Sequence, residues 1–455
     1  MFHSWMISRE TNEKKSTYVL CVGGFLFILM IRLFFWFSPT HQASMESVYV
    51  WPIAVLFTGV ALHQAWMNKN HSILLALSIP VWLYITTLLG GDYYLTYNLR
   101  FIIGVFLTFG MGYSMLWLVQ PKSRNKAFMT VTVGYIVAMT LMGIAGIYAT
   151  VMRIKLFTPL DTTFLGVMHQ RLYAFSYHPN ALACAELIAL LLTLYVMLAK
   201  KRWIGALLPM AIVQLVTIYL TVSRTSIILA AFGCAWCAGV YGFSACKKKV
   251  TWLRLMLSFV VGALLFCTVY GLSSPVASKL STLIKTEASV QMGQTKANKD
   301  AHAVVERKEE LDKLITFSNR TNIWKAGFTY LRQNPKALVL GTPDNIVARI
   351  PRKMGVSPEY HFHSVPMEML MLGGIIGLVL YLAFMFMVAK ACYRLFFTRD
   401  IPPAVRMLTG LPPLLTVSGL LEIHPALSGN VMDIMFLCIC SMVIWVDRSY
   451  RTNTK

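Results

Sequence analysis

Acidic residues are scarce in this chain: 19 Asp and Glu stand against 41 Lys and Arg in 455 residues, and charged residues make up only 13%. A water-soluble domain carries nearer a quarter, so the shortage excludes an ordinary soluble fold. Also missing are a metal-ligand cluster, a glycine-rich nucleotide loop and any internal repeat. No cofactor site is therefore expected. All nine cysteines fall in or beside apolar runs, which argues against a disulfide framework. Cys234 and Cys237 share a C-x-x-C spacing inside such a run and read as packing. No cleavable leader is expected, because the first apolar run is too long for a signal core and follows a polar head.

What the chain has in quantity is apolar sequence. Hydrophobic residues make up 57%, and the mean hydropathy is +0.61. Runs of about twenty apolar residues, each able to cross roughly 30 Å of hydrocarbon as a helix, predict an all-α polytopic membrane protein. Twelve are expected, near 18–37, 49–66, 72–90, 101–119, 128–152, 181–199, 203–222, 226–243, 252–272, 365–390, 404–421 and 431–447.

The formal charge of +22 would suggest nucleic acid for a soluble protein. Here its placement gives another reading, with no nucleic-acid partner. With the N-terminus inside, the inner segments carry Arg9, Lys14 and Lys15; Lys69; Lys122, Arg124 and Lys126; Lys200, Lys201 and Arg202; Lys247, Lys248 and Lys249. Further along they carry Lys390, Arg394, Arg399 and Arg406, and finally Arg448, Arg451 and Lys455. The short intervening loops, SPTHQASMES and EIHPALSGN among them, hold almost no Lys or Arg. Cytoplasmic loops collect positive charge, so both termini are expected in the cytoplasm.

One long extramembrane segment is expected between spans nine and ten. It divides the chain into 1–272 with nine spans, an external helical loop 273–362, and 363–455 with three spans. In that loop VVERKEELDKLITF has helical spacing. SNRTNIWKAGFTYLRQNP follows, with Trp324, Phe328 and Leu331 as its apolar stripe, a cap from Ser318, Asn319 or Thr321, and a stop at Asn334-Pro335.

Three arginines stand near the expected outer boundary. Arg224 lies in the Ser223-Arg224-Thr225-Ser226 turn between spans seven and eight, where the plain alternative is snorkelling to headgroups. Arg171 lies in HQRLYAFSYHPN, and Arg320 where a helix begins. Guanidinium forks hold phosphate oxygens at any working pH, and a helix start adds free N–H groups. These features suit a diphosphate on a lipid tail. His363 lies just before span ten, whose helix start, with Pro366 in its first turn, favours neutral imidazole. A neutral histidine can act as a general base toward a hydroxyl; His361 serves equally on chemistry alone. Glu368 can orient that base or simply satisfy the helix dipole, and Gly373, Gly374 and Gly377 read as close helix packing.

Three patches, RLYAFSYHPNALA, TVSRTSIILA, and SNRTNIWKAGFTYLRQNP with HSVPMEMLMLGGIIG, resemble in order those of the O-antigen ligase and polysaccharide polymerase superfamily of membrane glycosyltransferases. The resemblance covers roughly residues 165–390. It departs from the family at Ala174, where a glycine is common, and at the less glycine-rich Gly341-Thr342-Pro343 turn. It implies that Arg224 and Arg320 bind the diphosphate of an undecaprenyl-diphosphate-linked glycan donor, with Arg171 in support. His363 would activate a hydroxyl of a glycan or lipid–glycan acceptor. It further implies inverting transfer without a metal, with the active site of this multi-pass cytoplasmic-membrane protein facing outward. Competing readings are a polymerase of the same superfamily, a lipid-linked oligosaccharide flippase, and a membrane scaffold or sensor. A transporter should show internal repeats and charges near the bilayer midplane, whereas the candidate charges here gather at one face.

Overall fold

A computed structural model describes residues 18–33, 51–67, 70–90, 95–152, 154, 156–157, 164–168, 171–174, 176, 178–245, 318–354, 362–398, 401–422 and 430–453, with single positions between 256 and 271. Two apolar helices open it, α1 (Tyr18–Leu33) and α2 (Trp51–Met67). The following helices are α3 (His71–Leu89), α4 (Leu95–Phe106), α5 (Arg124–Val151), α6 (Pro179–Ala199), α7 (Ile204–Thr221) and α8 (Arg224–Ala245). Between α4 and α5 the chain continues through a buried π-helical segment, Leu107–Tyr113, and a short helix, Ser114–Leu118. After α8 come α9 (Ser318–Gln333) and three short helices, α10 (Pro335–Leu340), α11 (Asp344–Val347) and α12 (Ile350–Lys353). The long α13 (Val365–Phe397), α14 (Pro403–Leu421) and α15 (Val431–Asn453) complete the described fold.

Among the described residues eight helical stretches are long and apolar enough to cross a membrane, and α1 and α2 are shorter apolar helices. The protein is a helical, multi-pass membrane protein. The expected ninth run, 252–272, and the VVERKEELDKLITF segment lie outside the described residues, apart from isolated positions in the former. The loop between α5 and α6 departs from the all-helical expectation. It forms two antiparallel ladders of two residues each, Leu156–Phe157 with Phe164–Leu165 and Val167–Met168 with Arg171–Leu172. Loop backbone near a bundle must still satisfy its N–H and C=O groups, and such ladders are too short to leave an alternating pattern.

The core is centred on α6, which is buried along most of its length and packs against α5, α7, α8, α14 and α15. A polar seam crosses it: Gln214 donates to Thr140 at 3.0 Å and accepts from Thr193 at 3.0 Å. Glu186 is fully buried on the same helix, and neither of its oxygens has a hydrogen-bond partner. At the Lys200 end of α6, Arg394 binds Asp447 through two bonds, 3.1 and 2.5 Å, and Arg451 joins the same carboxylate at 2.9 Å. Part of the basic excess is thereby tied into the fold.

The helix α13 is broken at Gly374, where φ is +63°. A side chain there would meet the Val339 carbonyl oxygen at 2.3 Å, and one at Gly341 would meet the Leu372 oxygen at 2.2 Å. Only glycine permits both the left-handed backbone and this approach. The break frees carbonyls that must find donors. Thr342 N–H reaches the Met371 oxygen at 2.9 Å, and the Trp82 indole reaches the Gly373 oxygen at 2.7 Å. The expected close packing at Gly373 and Gly374 is thus a docking point for the α10 segment. It fixes α9 to α12 against the start of α13.

Candidate functional site

Antiparallel succession brings the start of α6, the end of α7, the starts of α8 and α13 and the end of α14 to one end of the bundle. Each supplies a polar residue. The α7–α8 connection is the expected tight hairpin turn, only Val222 and Ser223 long. Arg224 begins α8 with an exposed side chain. Three residues earlier, the Thr221 carbonyl accepts a 2.8 Å bond from Arg171 Nε. This carbonyl ends a helix, where a cation is favoured. Another Arg171 nitrogen donates to the Asn180 side-chain oxygen. Asn180 itself is set by His178, which caps α6 by accepting the Asn180 N–H at 3.1 Å.

Asn180 passes the network on. Its amide donates at 3.2 Å to Glu422 Oε1, which also accepts from Arg320 at 2.6 Å. The second oxygen, Oε2, lies 3.4 Å from His363 Nδ1. One carboxylate thus gathers an amide, a guanidinium and an imidazole from three distant stretches of chain. The Arg320 and His363 side chains are 27% and 21% exposed and Glu422 12%, so the cluster is lined by protein yet open to an entering molecule. Glu422 sits directly after the last residue of α14, where a helix dipole repels a carboxylate. Arg320 offsets that repulsion.

His363 is held through its neighbour. The Phe362 N–H donates to Glu368 at 2.7 Å, and the Phe362 carbonyl accepts from the Trp324 indole at 2.7 Å. Between them these clamps fix His363 at φ +50°. Glu368 therefore acts on the backbone that carries the histidine. His361, the other imidazole considered, lies outside the described residues.

The amphipathic helix expected from Trp324, Phe328 and Leu331 exists as α9, but its inner face is turned by one residue. Ile323, Ala326 and Leu331 are buried, whereas Phe328 is 56% exposed. The reason is Gly327, over which Phe362 and Met367 pack so closely that an added side chain would meet them at 2.5 and 2.4 Å. The α9–α13 contact centres on this smallest residue, which an apolar pattern does not count. That contact brings Arg320, in the first turn of α9, toward the histidine.

Among the described residues three non-glycine positions have positive φ: Ala174 at 41°, Val222 at 55° and His363 at 50°. One follows Arg171, one precedes Arg224, and the third is the candidate base. Such backbones cost about 1–2 kcal/mol each, and they collect at functional sites when the surroundings enforce them. At Ala174 the left-handed backbone gives a reason for the glycine common in the resembling family. Val222, β-branched and at the position after α7 where glycine is usual, is the most costly. Val222→Gly should raise the thermal midpoint, reflecting about 1 kcal/mol of relieved strain; an unchanged or lower midpoint would show that the turn carries no strain.

Residues 209–382 match the family model described as O-Antigen ligase. The match runs from within α7 into α13 and includes Arg224, Arg320 and His363, while Arg171, Asn180 and Glu422 lie outside it. No curated protein matches the chain significantly.

Proposed function

We propose, from the premise that this chain is a member of the O-antigen ligase superfamily through residues 209–382, that it transfers a glycan from an undecaprenyl-diphosphate donor to an acceptor hydroxyl at the outer face of the cytoplasmic membrane. The family supports O-antigen ligase- or polymerase-type function. The observation that carries it is the joint hold of Arg320 and His363 on the single carboxylate of Glu422. An anion at that place meets a guanidinium and an imidazole together, the pair that diphosphate departure and hydroxyl activation require.

In this mechanism the donor's lipid tail stays in the bilayer while its diphosphate meets Arg320 and Arg224. Arg171 supports the pocket by linking the α7 end to Asn180. In the tautomer this mechanism uses, His363 Nδ1–H donates to Glu422 and Nε2 takes the acceptor hydroxyl proton. The acceptor oxygen then attacks the anomeric carbon from the face opposite the leaving group, with inversion. The bond to the diphosphate oxygen breaks with its electron pair, and the arginines stabilise the charge that develops. The activated donor supplies the free energy.

Reconstitution with an undecaprenyl-diphosphate glycan and candidate acceptors, without added metal, tests the reading. One added glycan per acceptor supports a ligase and a ladder of lengths a polymerase; donor moved across the bilayer without product would sink both in favour of a flippase. In the same assay Arg320→Lys should lose about tenfold, as a point charge replaces a bidentate fork. Arg224→Ala should lose roughly a hundredfold if it stabilises the leaving diphosphate. Full activity in either variant removes that arginine from its role.

A further inference from the structure

A second polar constellation lies at the opposite end of the bundle. The helix α6 starts at the Asn180–Glu422 contact and runs 21 residues to Ala199, about 30 Å. Just past its end, Lys200 shares a groove of about 520 Å³ with the first turns of α5. Lys126, Thr130 and Trp203 line it with exposed side chains, and Met129 and Val133 with half-buried ones. Among the described residues no carboxylate lines it. Both lysines are exposed. The Lys126 ammonium lies 5.6 Å from the Tyr18 ring, whose hydroxyl is 3.3 Å from Thr130 Oγ1.

The order of side chains in this groove suits a lipid. The two ammonium groups lie at the helix-end level, with Met129 and Thr130 one turn and Val133 two turns further along α5. The start of α5 adds its dipole in favour of an anion. Tyrosine and tryptophan mark a headgroup level in membrane proteins. Basic pockets between helices on the cytoplasmic side take anionic headgroups, and the basic-loop pattern assigns this end to the cytoplasm. We infer that the Lys126–Lys200 groove is a binding site for an anionic phospholipid of the leaflet opposite the Glu422 cluster. The headgroup phosphate sits between the two ammonium groups, and an acyl chain lies along Met129 and Val133. Lysine, a point charge on a flexible stem, suits a headgroup that needs no fixed fork. The inference depends on the membrane reading alone and is independent of the transfer chemistry.

Native mass spectrometry of the full chain, delipidated in detergent and titrated with phosphatidylglycerol or phosphatidylcholine, tests it. One phosphatidylglycerol should be retained in preference to phosphatidylcholine. Lys126→Gln with Lys200→Gln should weaken that retention on the order of 30-fold, from about 1 kcal/mol per lysine. Lys122→Gln with Lys201→Gln, equally basic but outside the groove lining, should change it less than about twofold. Equal retention of the two lipids would overturn the proposal. So would an equal loss in the second pair, which would mean general surface attraction. All four lysines are exposed, so the variants keep the fold, and an unchanged melting midpoint verifies this.

Discussion

Replacing His363 by asparagine should leave the protein folded and inserted and slow the proposed glycan transfer by about 10²–10⁴-fold, the usual weight of a positioned general base. Asparagine is the informative substitution because of the backbone. His363 has φ +50°, and asparagine tolerates that conformation better than other non-glycine residues. The clamps on Phe362 from Glu368 and Trp324 are untouched by the change. The amide cannot accept a proton at working pH, so backbone and chemistry are separated. His363→Ala should be as slow in transfer, with donor binding little altered, because in the proposed mechanism the diphosphate meets arginines. The measurements are the transfer rate and donor KM in reconstituted vesicles, beside the thermal midpoint. A His363→Asn protein with normal turnover would leave the mechanism without its base. A protein slow only because it melts early would give a structural role to the turn.

Much of this arrangement is legible in local sequence, and the parts that are not share a cause. The α7–α8 hairpin, the helix beginning near Arg320 and the helix beginning after His363 follow from apolar runs broken by short polar islands. Those are local signals. Asn180 lies in RLYAFSYHPNALA, but its partner Glu422 is 242 residues away, and no local pattern reports that pairing. Glu422 did carry a faint signal. A carboxylate at the end of an apolar helix opposes the dipole, and that cost calls for a cation from elsewhere in the chain. In EIHPALSGN, however, the feature that reports topology is the lack of Lys and Arg, and a single acid there is indistinguishable from an ordinary loop residue. The turned face of α9 has the same origin: Phe362, 35 residues along the chain, decides that Gly327 rather than Phe328 points inward. Side chains whose partners are distant are the ones a linear reading misplaces.

Glu422→Gln is expected to cost about 10²–10³-fold in turnover while lowering donor KM. Glutamine keeps the length of the side chain and can still accept from Asn180 and Arg320. It loses the charge, and its amide can donate to His363 Nδ1. Donation there fixes the proton on Nε2, the wrong tautomer for a base, and the imidazolium formed during transfer loses its counter-ion. In serine hydrolases the same exchange of carboxylate for amide beside a catalytic histidine costs about 10⁴. The smaller figure here reflects a looser 3.4 Å contact and a carboxylate shared with two other donors. The effect on KM has the opposite sign because Arg320, 2.6 Å from Glu422, is no longer neutralised by a resident anion. An incoming diphosphate then competes with a neutral amide oxygen instead of a carboxylate for the guanidinium. A merely structural Glu422 would lower stability and turnover together and leave KM untouched. Separate measurement of kcat and KM in the glutamine variant decides between them. A raised donor KM at full turnover would show that Glu422 serves the arginine alone and that His363 keeps its tautomer by other means.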